Sequence, residues 1–221
     1  MRNSSEEVKN PNLLLKSKQT IFWDFDGVIK DSVEAKSIGY EQLFINHGSE
    51  VANRVRKHHE ANGGISRYEK IPIYLKWAGE PANENQVQEY CGRFSDFVQQ
   101  AVVDSPWVPG IRKYLEANHS HQYFVLITAT PQKEIEQILD ILDLSQFFRE
   151  VHGAPTPKAV TISNVLKQLK CHPEQSLVVG DSETDLKAAE TNNATFLLRR
   201  TSLNQDLQQR FQGPSFETLK I

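Results

Sequence analysis

The chain has 221 residues, 38% of them hydrophobic, and a formal net charge of −3. This length is enough to bury one large core, so neither a disulfide nor a structural metal is needed to stabilise it. The slightly acidic balance argues against a nucleic-acid-binding or membrane-surface protein. The two cysteines, Cys91 and Cys171, are too few for a disulfide framework or a zinc knuckle. Because the N-terminal stretch holds no secretory-type apolar segment, we expect a cytoplasmic protein.

Residues 1–18 are polar and are expected to form a loose lead-in. The first apolar run, Thr20–Trp23, predicts a short buried strand that ends in an acidic loop containing Asp24 and Asp26. A continuous apolar run without polar alternation is typical of a strand whose two faces are both covered, as in a parallel sheet.

The next segment, residues 33–105, contains no convincing strand run. It instead shows helix-like stretches near residues 33–47, 49–61, 66–78 and 83–103, separated by glycine-containing breaks. We interpret this block as a helical cap inserted over the carboxyl edge of the sheet. The predicted division is therefore a core of residues 1–32 plus 106–221 and a cap of residues 33–105. A basic cluster within the cap, from Arg54 to His59, is expected to be the solvated face of a helix.

Further apolar runs at residues 123–127, 176–179 and 194–198 predict three more strands. Helical patterns lie between them, and two of these helices are expected to begin with a threonine N-cap followed by proline, at Thr130-Pro131 and Thr156-Pro157. Strand–helix–strand alternation predicts the α/β class, with a Rossmann-like doubly wound parallel sheet as the core and the α-helical cap inserted in it.

Distinctive polar residues follow three of the predicted strands. These residues are Asp24 and Asp26 after the first, Thr128 after the second, and Asp181 and Asp185 after the third. Ligands of open α/β sheets bind outside the carboxyl ends of the strands, so the pattern predicts one shared site.

Phosphoryl transfer through an aspartyl-phosphate suits these residues. A carboxylate such as Asp24 can attack phosphorus, but its repulsion from an anionic phosphoryl group needs a cation. Magnesium prefers carboxylate and carbonyl oxygens, so we expect Mg²⁺ to be held by Asp24, Asp181 and the backbone carbonyl of Asp26. The Asp26 side chain, two residues after the nucleophile, can protonate the leaving alcohol and later deprotonate water.

The remaining residues of the pattern are expected to bind phosphate or to support the metal site. Thr128 and the neighbouring backbone N–H of Ala129 are expected to bind phosphate oxygens, and the Lys158 ammonium is expected to neutralise phosphate charge. Ser182 and Asp185 fit an acidic capping box, and Asp185 fits equally well as a residue that supports the metal site from behind.

Four segments together resemble the four motifs of the haloacid dehalogenase superfamily of phosphohydrolases. They are Asp24-Phe25-Asp26-Gly27-Val28, Thr128, Lys158 and Gly180-Asp181-Ser182-x-x-Asp185. Val108-Pro109-Gly110 resembles the re-entry into the core in members with a cap inserted after the first motif. The resemblance implies a Rossmann-like core, a mobile four-helix cap and magnesium-dependent phosphatase activity on a small phosphomonoester.

Two features of the cap bear on the branch of the family. Gly64-Ile65-Ser66-Arg67 resembles the G-x-S-R segment of the β-phosphoglucomutase branch, in which the arginine meets a substrate phosphate. The alternative is that Ser66 is only a helix N-cap and Arg67 is solvated. The mutase branch has a histidine twelve residues after the nucleophile, where this chain has Lys36, and that difference favours hydrolysis.

The leading hypothesis is therefore a magnesium-dependent phosphatase, with sugar phosphates as the first candidate substrates and nucleotides and phosphoglycolate behind them. A phosphomutase and a non-catalytic binding protein of the same fold remain alternatives. Dehalogenation is disfavoured because it needs an aspartate nucleophile but no metal, which would leave Asp26 and Asp181 without a role. The sequence leaves the oligomeric state open.

Overall fold

The computed structural model describes residues 10–220. Its centre is a sheet of six parallel strands in the order β3-β2-β1-β4-β5-β6. The strands are β1 (Thr20–Trp23), β2 (Tyr123–Pro131), β3 (Glu150–Ala154), β4 (Ser176–Gly180), β5 (Thr195–Arg199) and β6 (Ser215–Phe216).

Helices surround this sheet and fill the connections between its strands. In chain order they are α1 (Pro11–Lys16), α2 (Val33–Phe44), α3 (Ser49–Ala61), α4 (Arg67–Trp77), α5 (Glu84–Asp104), α6 (Ile111–Asn118), α7 (Gln132–Ile141), α8 (Lys158–Leu169), α9 (Glu183–Thr191) and α10 (Gln205–Arg210). Among the described residues, no helix combines the length and the apolar composition needed to cross a bilayer.

The central strand β1 shows why the apolar runs lack alternation. Ile21 and Trp23 belong to one cluster of buried side chains, and Phe22, which points to the opposite face, belongs to a second. Both faces of the sheet are therefore covered by apolar side chains, as continuous apolar strands require. The predicted fold class, α/β with a Rossmann-like parallel sheet, is confirmed.

Parallel pairing aligns the strand ends that carry polar residues. Trp23, the last residue of β1, pairs with Leu126 of β2 on one side and with Val179 of β4 on the other. The residues that follow these three positions therefore meet at the carboxyl edge of the sheet. The helices α2 to α5 lie between β1 and β2 in the chain, while the predicted boundaries of cap and core stay a prediction.

The expectation of a loose lead-in is wrong where the structure describes it. Residues 11–16 form α1, and the Asn10 side chain caps this helix by accepting from the N–H groups of Asn12 and Leu13. Leu14 and Leu15 are buried in the core, so burial of apolar surface fixes this segment. The first nine residues of the lead-in lie outside the described residues.

Both predicted threonine N-caps are also wrong, since α7 and α8 have Pro131 and Pro157 at the N-cap position and begin one residue later. The Thr130 hydroxyl instead donates to Asp26 Oδ2 at 3.2 Å. This threonine is therefore used at the carboxyl edge of the sheet, not to cap a helix.

Candidate active site

A cavity of about 60 Å³ lies between the carboxyl edge of the sheet and the helices α2 to α5. On the sheet side it is lined by Asp24, Asp26, Thr128, Ala129 and Asp181. On the helical side its polar or ionisable lining residues are Lys36, Tyr40, His59, Arg67 and Lys70. The structure therefore brings six of the predicted site residues together around one cavity, five at the sheet edge and Arg67 on the helical side.

Asp24 follows β1 directly and is buried. Its Oδ1 accepts the Phe25 backbone N–H at 2.8 Å and lies 2.9 Å from Lys158 Nζ. Lys158, the first residue of α8, also contacts Asp185 Oδ1 at 2.6 Å. Burial alone would lower the pKa of Lys158, but the adjacent carboxylates outweigh it and raise the pKa, so the ammonium stays charged.

Three carboxylates crowd this point, because Asp24, Asp181 and Asp185 each place an oxygen within 4.8 Å of the others. Burial, with the negative charges of Asp185 and Asp26, raises the pKa of Asp24 to about 7 although Lys158 opposes the rise. Burial and the charge of Asp24 likewise raise the pKa of Asp181 well above its ordinary value. One ammonium among several buried carboxylates leaves negative charge uncompensated, and oxygen donors of this type suit a hard divalent cation.

The absence of a side chain at Gly27 leaves space for the Asp181 carboxylate. The φ of Gly27 is +76°, and a Cβ on this residue would lie 2.1 Å from Asp181 Oδ2. A side chain at position 27 would therefore push the Asp181 carboxylate away from the loop that carries Asp24. Glycine is required here both by the positive φ and by this close approach.

The Asp26 side chain is not part of this group of three carboxylates. It accepts hydrogen bonds from Ser32 Oγ at 2.6 Å, from Thr130 Oγ1 and from Lys36 Nζ, and Lys36 also donates to Thr130 Oγ1 at 2.8 Å. Burial would raise the pKa of Asp26, but the charge and hydrogen bonds of Lys36, with those of Ser32 and Thr130, outweigh it and lower the pKa. Within residues 10–220 the main-chain oxygen of Asp26 accepts no hydrogen bond, so it is free to act as a metal ligand.

Ser182 and Asp185 form the predicted capping box at the start of α9. The Ser182 backbone N–H and hydroxyl both donate to Asp185 Oδ2, which leaves Oδ1 for Lys158. Asp185 therefore links the start of α9 to the lysine that contacts Asp24. Thr128, at the end of the apolar part of β2, is buried beside the cavity, and its Oγ1 accepts the Thr130 N–H at 3.2 Å.

Arg67 lines the cavity but has a protein partner. Its two terminal nitrogens donate to Glu134 of α7 at 2.8 and 2.7 Å, and one of them also donates to Ser95 Oγ at 2.6 Å. The arginine is thus neither solvated nor free for a phosphate in this arrangement, and its predicted phosphate contact stays a prediction that the geometry weighs against. Ser66 is the N-cap of α4, accepting the Tyr68 N–H.

Of the polar or ionisable residues that line the cavity, Lys36, Tyr40, His59 and Lys70 are absent from the predicted site. His59, expected to be solvated with its basic neighbours, is buried, and Lys70 is only 2% exposed. The spacing carried a signal for both. His59 continues the buried face of α3 set by Ala52 and Val55, and Lys70 falls three residues after Arg67 on one face of α4.

Comparison with known proteins agrees with this architecture. A family model described as haloacid dehalogenase-like hydrolase matches residues 21–198. The phosphoglycolate phosphatase of Aquifex aeolicus is 27% identical over 201 residues, which cover 86% of this chain and 89% of that protein. The phosphorylated carbohydrates phosphatase of Thermotoga maritima is 25% identical over 186 residues, covering 78% of this chain and 81% of that protein.

Among solved structures, a β-phosphoglucomutase from Clostridium difficile superposes with a TM-score of 0.70 at 17% identity, covering 91% of each chain. At that identity the likeness concerns the fold. The family model spans the motifs from the strand before Asp24 to the strand after Asp185, and the geometry of the carboxyl edge is built from those motifs. The chain therefore belongs to the haloacid dehalogenase-like hydrolase family.

Proposed function

We propose that the protein is a magnesium-dependent phosphatase that hydrolyses a small phosphomonoester through an aspartyl-phosphate on Asp24. The observation that carries the proposal is the group of three carboxylates with oxygens within 4.8 Å, next to the buried Lys158, of which Asp24 and Asp181 line the cavity. Membership of a hydrolase family and the phosphatases among its relatives support the same reaction class.

In the first half-reaction a carboxylate oxygen of Asp24 attacks phosphorus, the Asp24 O–P bond forms, and the bond from phosphorus to the ester oxygen breaks. When bound by Asp24, Asp181 and the Asp26 carbonyl, Mg²⁺ neutralises phosphoryl charge that would repel the nucleophile. Thr128 and the Ala129 N–H hold phosphate oxygens. Lys158 keeps one Asp24 oxygen in a fixed position.

Asp26 handles the proton in both half-reactions. The leaving alcohol needs a proton, and Asp26 delivers it after taking up a proton from solvent when the bound substrate displaces the Lys36 ammonium. A water molecule then loses its proton to the Asp26 carboxylate and attacks phosphorus, which releases inorganic phosphate and restores Asp24. In the absence of substrate, the charge and hydrogen bond of Lys36, with the hydrogen bonds of Ser32 and Thr130, lower the pKa of Asp26, so its protonated form depends on displacement of Lys36 by the substrate.

Hydrolysis is favoured over phosphate transfer between two positions of one sugar. Lys36 stands where the mutase branch has a histidine, and its ammonium is engaged with Asp26 and Thr130. Phosphorus NMR of a reaction with a sugar phosphate distinguishes the two, because a phosphatase accumulates inorganic phosphate and a mutase accumulates an isomeric ester.

The test is phosphate release from a panel of phosphomonoesters in the presence of Mg²⁺ or of EDTA. We expect release only with Mg²⁺, and we expect Asp24→Asn to lower kcat by about 1,000-fold or more, because it removes the nucleophile. Asp206→Asn, at an exposed aspartate on α10, is the matched control and should keep the wild-type rate. An Asp24→Asn protein that keeps more than about a tenth of the wild-type rate would rule out the covalent route.

A further inference from the structure

The helical side of the cavity contains a buried hydrogen-bond donor, on His59, that no acceptor within residues 10–220 satisfies. His59 is 6% exposed, and its Nδ1 lies 2.9 Å from Lys70 Nζ. An ammonium can only donate, so Nδ1 is the acceptor and the ring proton of neutral His59 is on Nε2. Within residues 10–220 that Nε2 has no hydrogen-bond partner. A buried donor left unpaired costs about 1–3 kcal/mol, so it calls for an explanation.

Lys70 adds a second donor beside it. Its three N–H bonds meet two protein acceptors, His59 Nδ1 and the Asn62 carbonyl, each at 2.9 Å. Both acceptors are neutral, so none of the described residues, 10–220, forms an ion pair with this ammonium. A buried charge of this kind is costly unless an opposite charge accompanies it.

The charges of the cavity wall are separated by sign. Its three carboxylates, Asp24, Asp26 and Asp181, all belong to the sheet edge, whereas Lys36, Arg67 and Lys70 belong to the helical side. Arg67 is paired with Glu134, and Lys36 with Asp26. Among these wall cations, Lys70 is therefore the one that no carboxylate of residues 10–220 pairs with.

We propose that His59 and Lys70, on the helical side of the cavity, bind a carboxylate of a substrate whose phosphoryl group faces Asp24 at the sheet edge. This inference rests on the proposed phosphatase function and names its substrate class, a phosphorylated hydroxy acid. A carboxylate supplies an acceptor for the unpaired His59 Nε2–H and a negative charge for Lys70.

The test compares two substrates that share a phosphoryl group and differ in the far end. They are 2-phosphoglycolate, with a carboxylate, and 2-hydroxyethyl phosphate, with a hydroxyl. For the wild type we expect kcat/KM to be at least about tenfold higher with 2-phosphoglycolate, and we expect Lys70→Met to reduce that ratio about tenfold. His59→Asn, which keeps an acceptor near Lys70 but removes the Nε2 donor, should reduce the ratio as well.

Lys76→Met is the matched control, because Lys76 is an exposed lysine on the same helix and outside the cavity lining. It should keep both the activity and the ratio of the wild type. Thermal melting of each variant separates loss of fold from loss of preference. A ratio near one in the wild type, or a ratio that Lys70→Met and His59→Asn leave unchanged, overturns the proposal.

A binding measurement separates this inference from the proposed function. Calorimetry with Mg²⁺ compares 3-phosphonopropionate, which cannot be hydrolysed, with propylphosphonate, which lacks the carboxylate. If no phosphomonoester is hydrolysed but 3-phosphonopropionate binds about tenfold more tightly and Lys70→Met removes the difference, the catalytic proposal fails and the carboxylate site stands. Equal affinities for the two phosphonates contradict the carboxylate site whether or not the protein is a phosphatase.

Discussion

Lys70 combines a deep position with neutral partners. Burial, with repulsion from Lys36, lowers the pKa of this side chain to about 7, although Glu69 opposes the shift. An apolar residue at this position would avoid the cost of burying an ammonium, so stability alone does not explain a lysine here. The explanation that fits is a ligand whose negative charge enters the cavity with the substrate.

That burial also makes a prediction about stability and pH. The pKa of Lys70 is about 7 in the folded chain and near 10.5 in the unfolded chain. Between these values the unfolded state binds more protons, so the folded state gains stability as pH rises. From pH 7 to pH 9 we expect the free energy of unfolding of the wild type to increase by about 2 kcal/mol relative to Lys70→Met. Urea unfolding at both pH values measures it, and parallel pH profiles for the two proteins would contradict the lowered pKa.

At the residue scale the sequence carried a clearer signal for residues at strand ends than for residues on helices. Asp24, Thr128 and Asp181 were predicted to meet because parallel strands align their carboxyl ends, and these residues line one cavity. The cavity-lining positions of His59 and Lys70 depend on how α3 and α4 pack over the sheet. No strand register fixes that packing. The helical spacing of His59 and Lys70 therefore indicates which face of α3 or α4 each one lies on, but not that this face lines a cavity.

At the scale of elements, the buried strands were easier to predict than the edge strands. The four predicted runs correspond to β1, β2, β4 and β5, whose residues are mainly apolar and buried. β3 contains Glu150, His152 and Gly153 and lies at one edge of the sheet, and β6 has two residues at the other. Edge strands bury less surface, so their sequences carry a weaker apolar signal.

The contact between α4 and α7 supports an energetic prediction. Arg67 and Glu134 form a buried bidentate ion pair that joins a helix between β1 and β2 to the helix that follows β2, and Ser95 of α5 adds a hydrogen bond. Removing one partner of such a pair leaves the other charge buried and costs about 3–5 kcal/mol. We expect Arg67→Met and Glu134→Met each to destabilise the protein by about that amount, and the double variant to be less destabilised than the sum.

Urea unfolding of the four proteins completes this double-mutant cycle. The matched control is Glu116→Met, which breaks the exposed Arg112–Glu116 pair on α6 and should cost less than about 1 kcal/mol. Additive effects of Arg67→Met and Glu134→Met would mean that the two side chains are not energetically coupled. The contact between α4 and α7 would then be stabilised by the apolar side chains around the pair.

For the whole molecule, the arrangement of charge matters more than its total. The net charge of −3 carries little information about function. Within the cavity, however, carboxylates occupy the sheet edge and cations occupy the helical wall. A substrate with a phosphoryl group at one end and a carboxylate at the other matches this division only if a metal cation first offsets the carboxylates at the sheet edge. The two proposals are thus linked, because the carboxylates proposed to bind the metal and the cations proposed to bind the substrate carboxylate line the same cavity.

This dependence predicts that Mg²⁺ stabilises the fold, because the cation relieves repulsion among buried carboxylates that the unfolded chain does not share. A ligand at 100 times its Kd adds about 2.7 kcal/mol, which corresponds to a rise in Tm of about 5–10 °C for a chain of this size. The rise should be larger at pH 8 than at pH 6, because the pKa of Asp24 is about 7 and its protonation competes with the metal. Scanning calorimetry with Mg²⁺ and with EDTA measures it. Asp181→Asn should abolish the rise in Tm, and Asp206→Asn should keep it. An equal rise in both variants would show that Mg²⁺ binds elsewhere than at the carboxylates around Asp24.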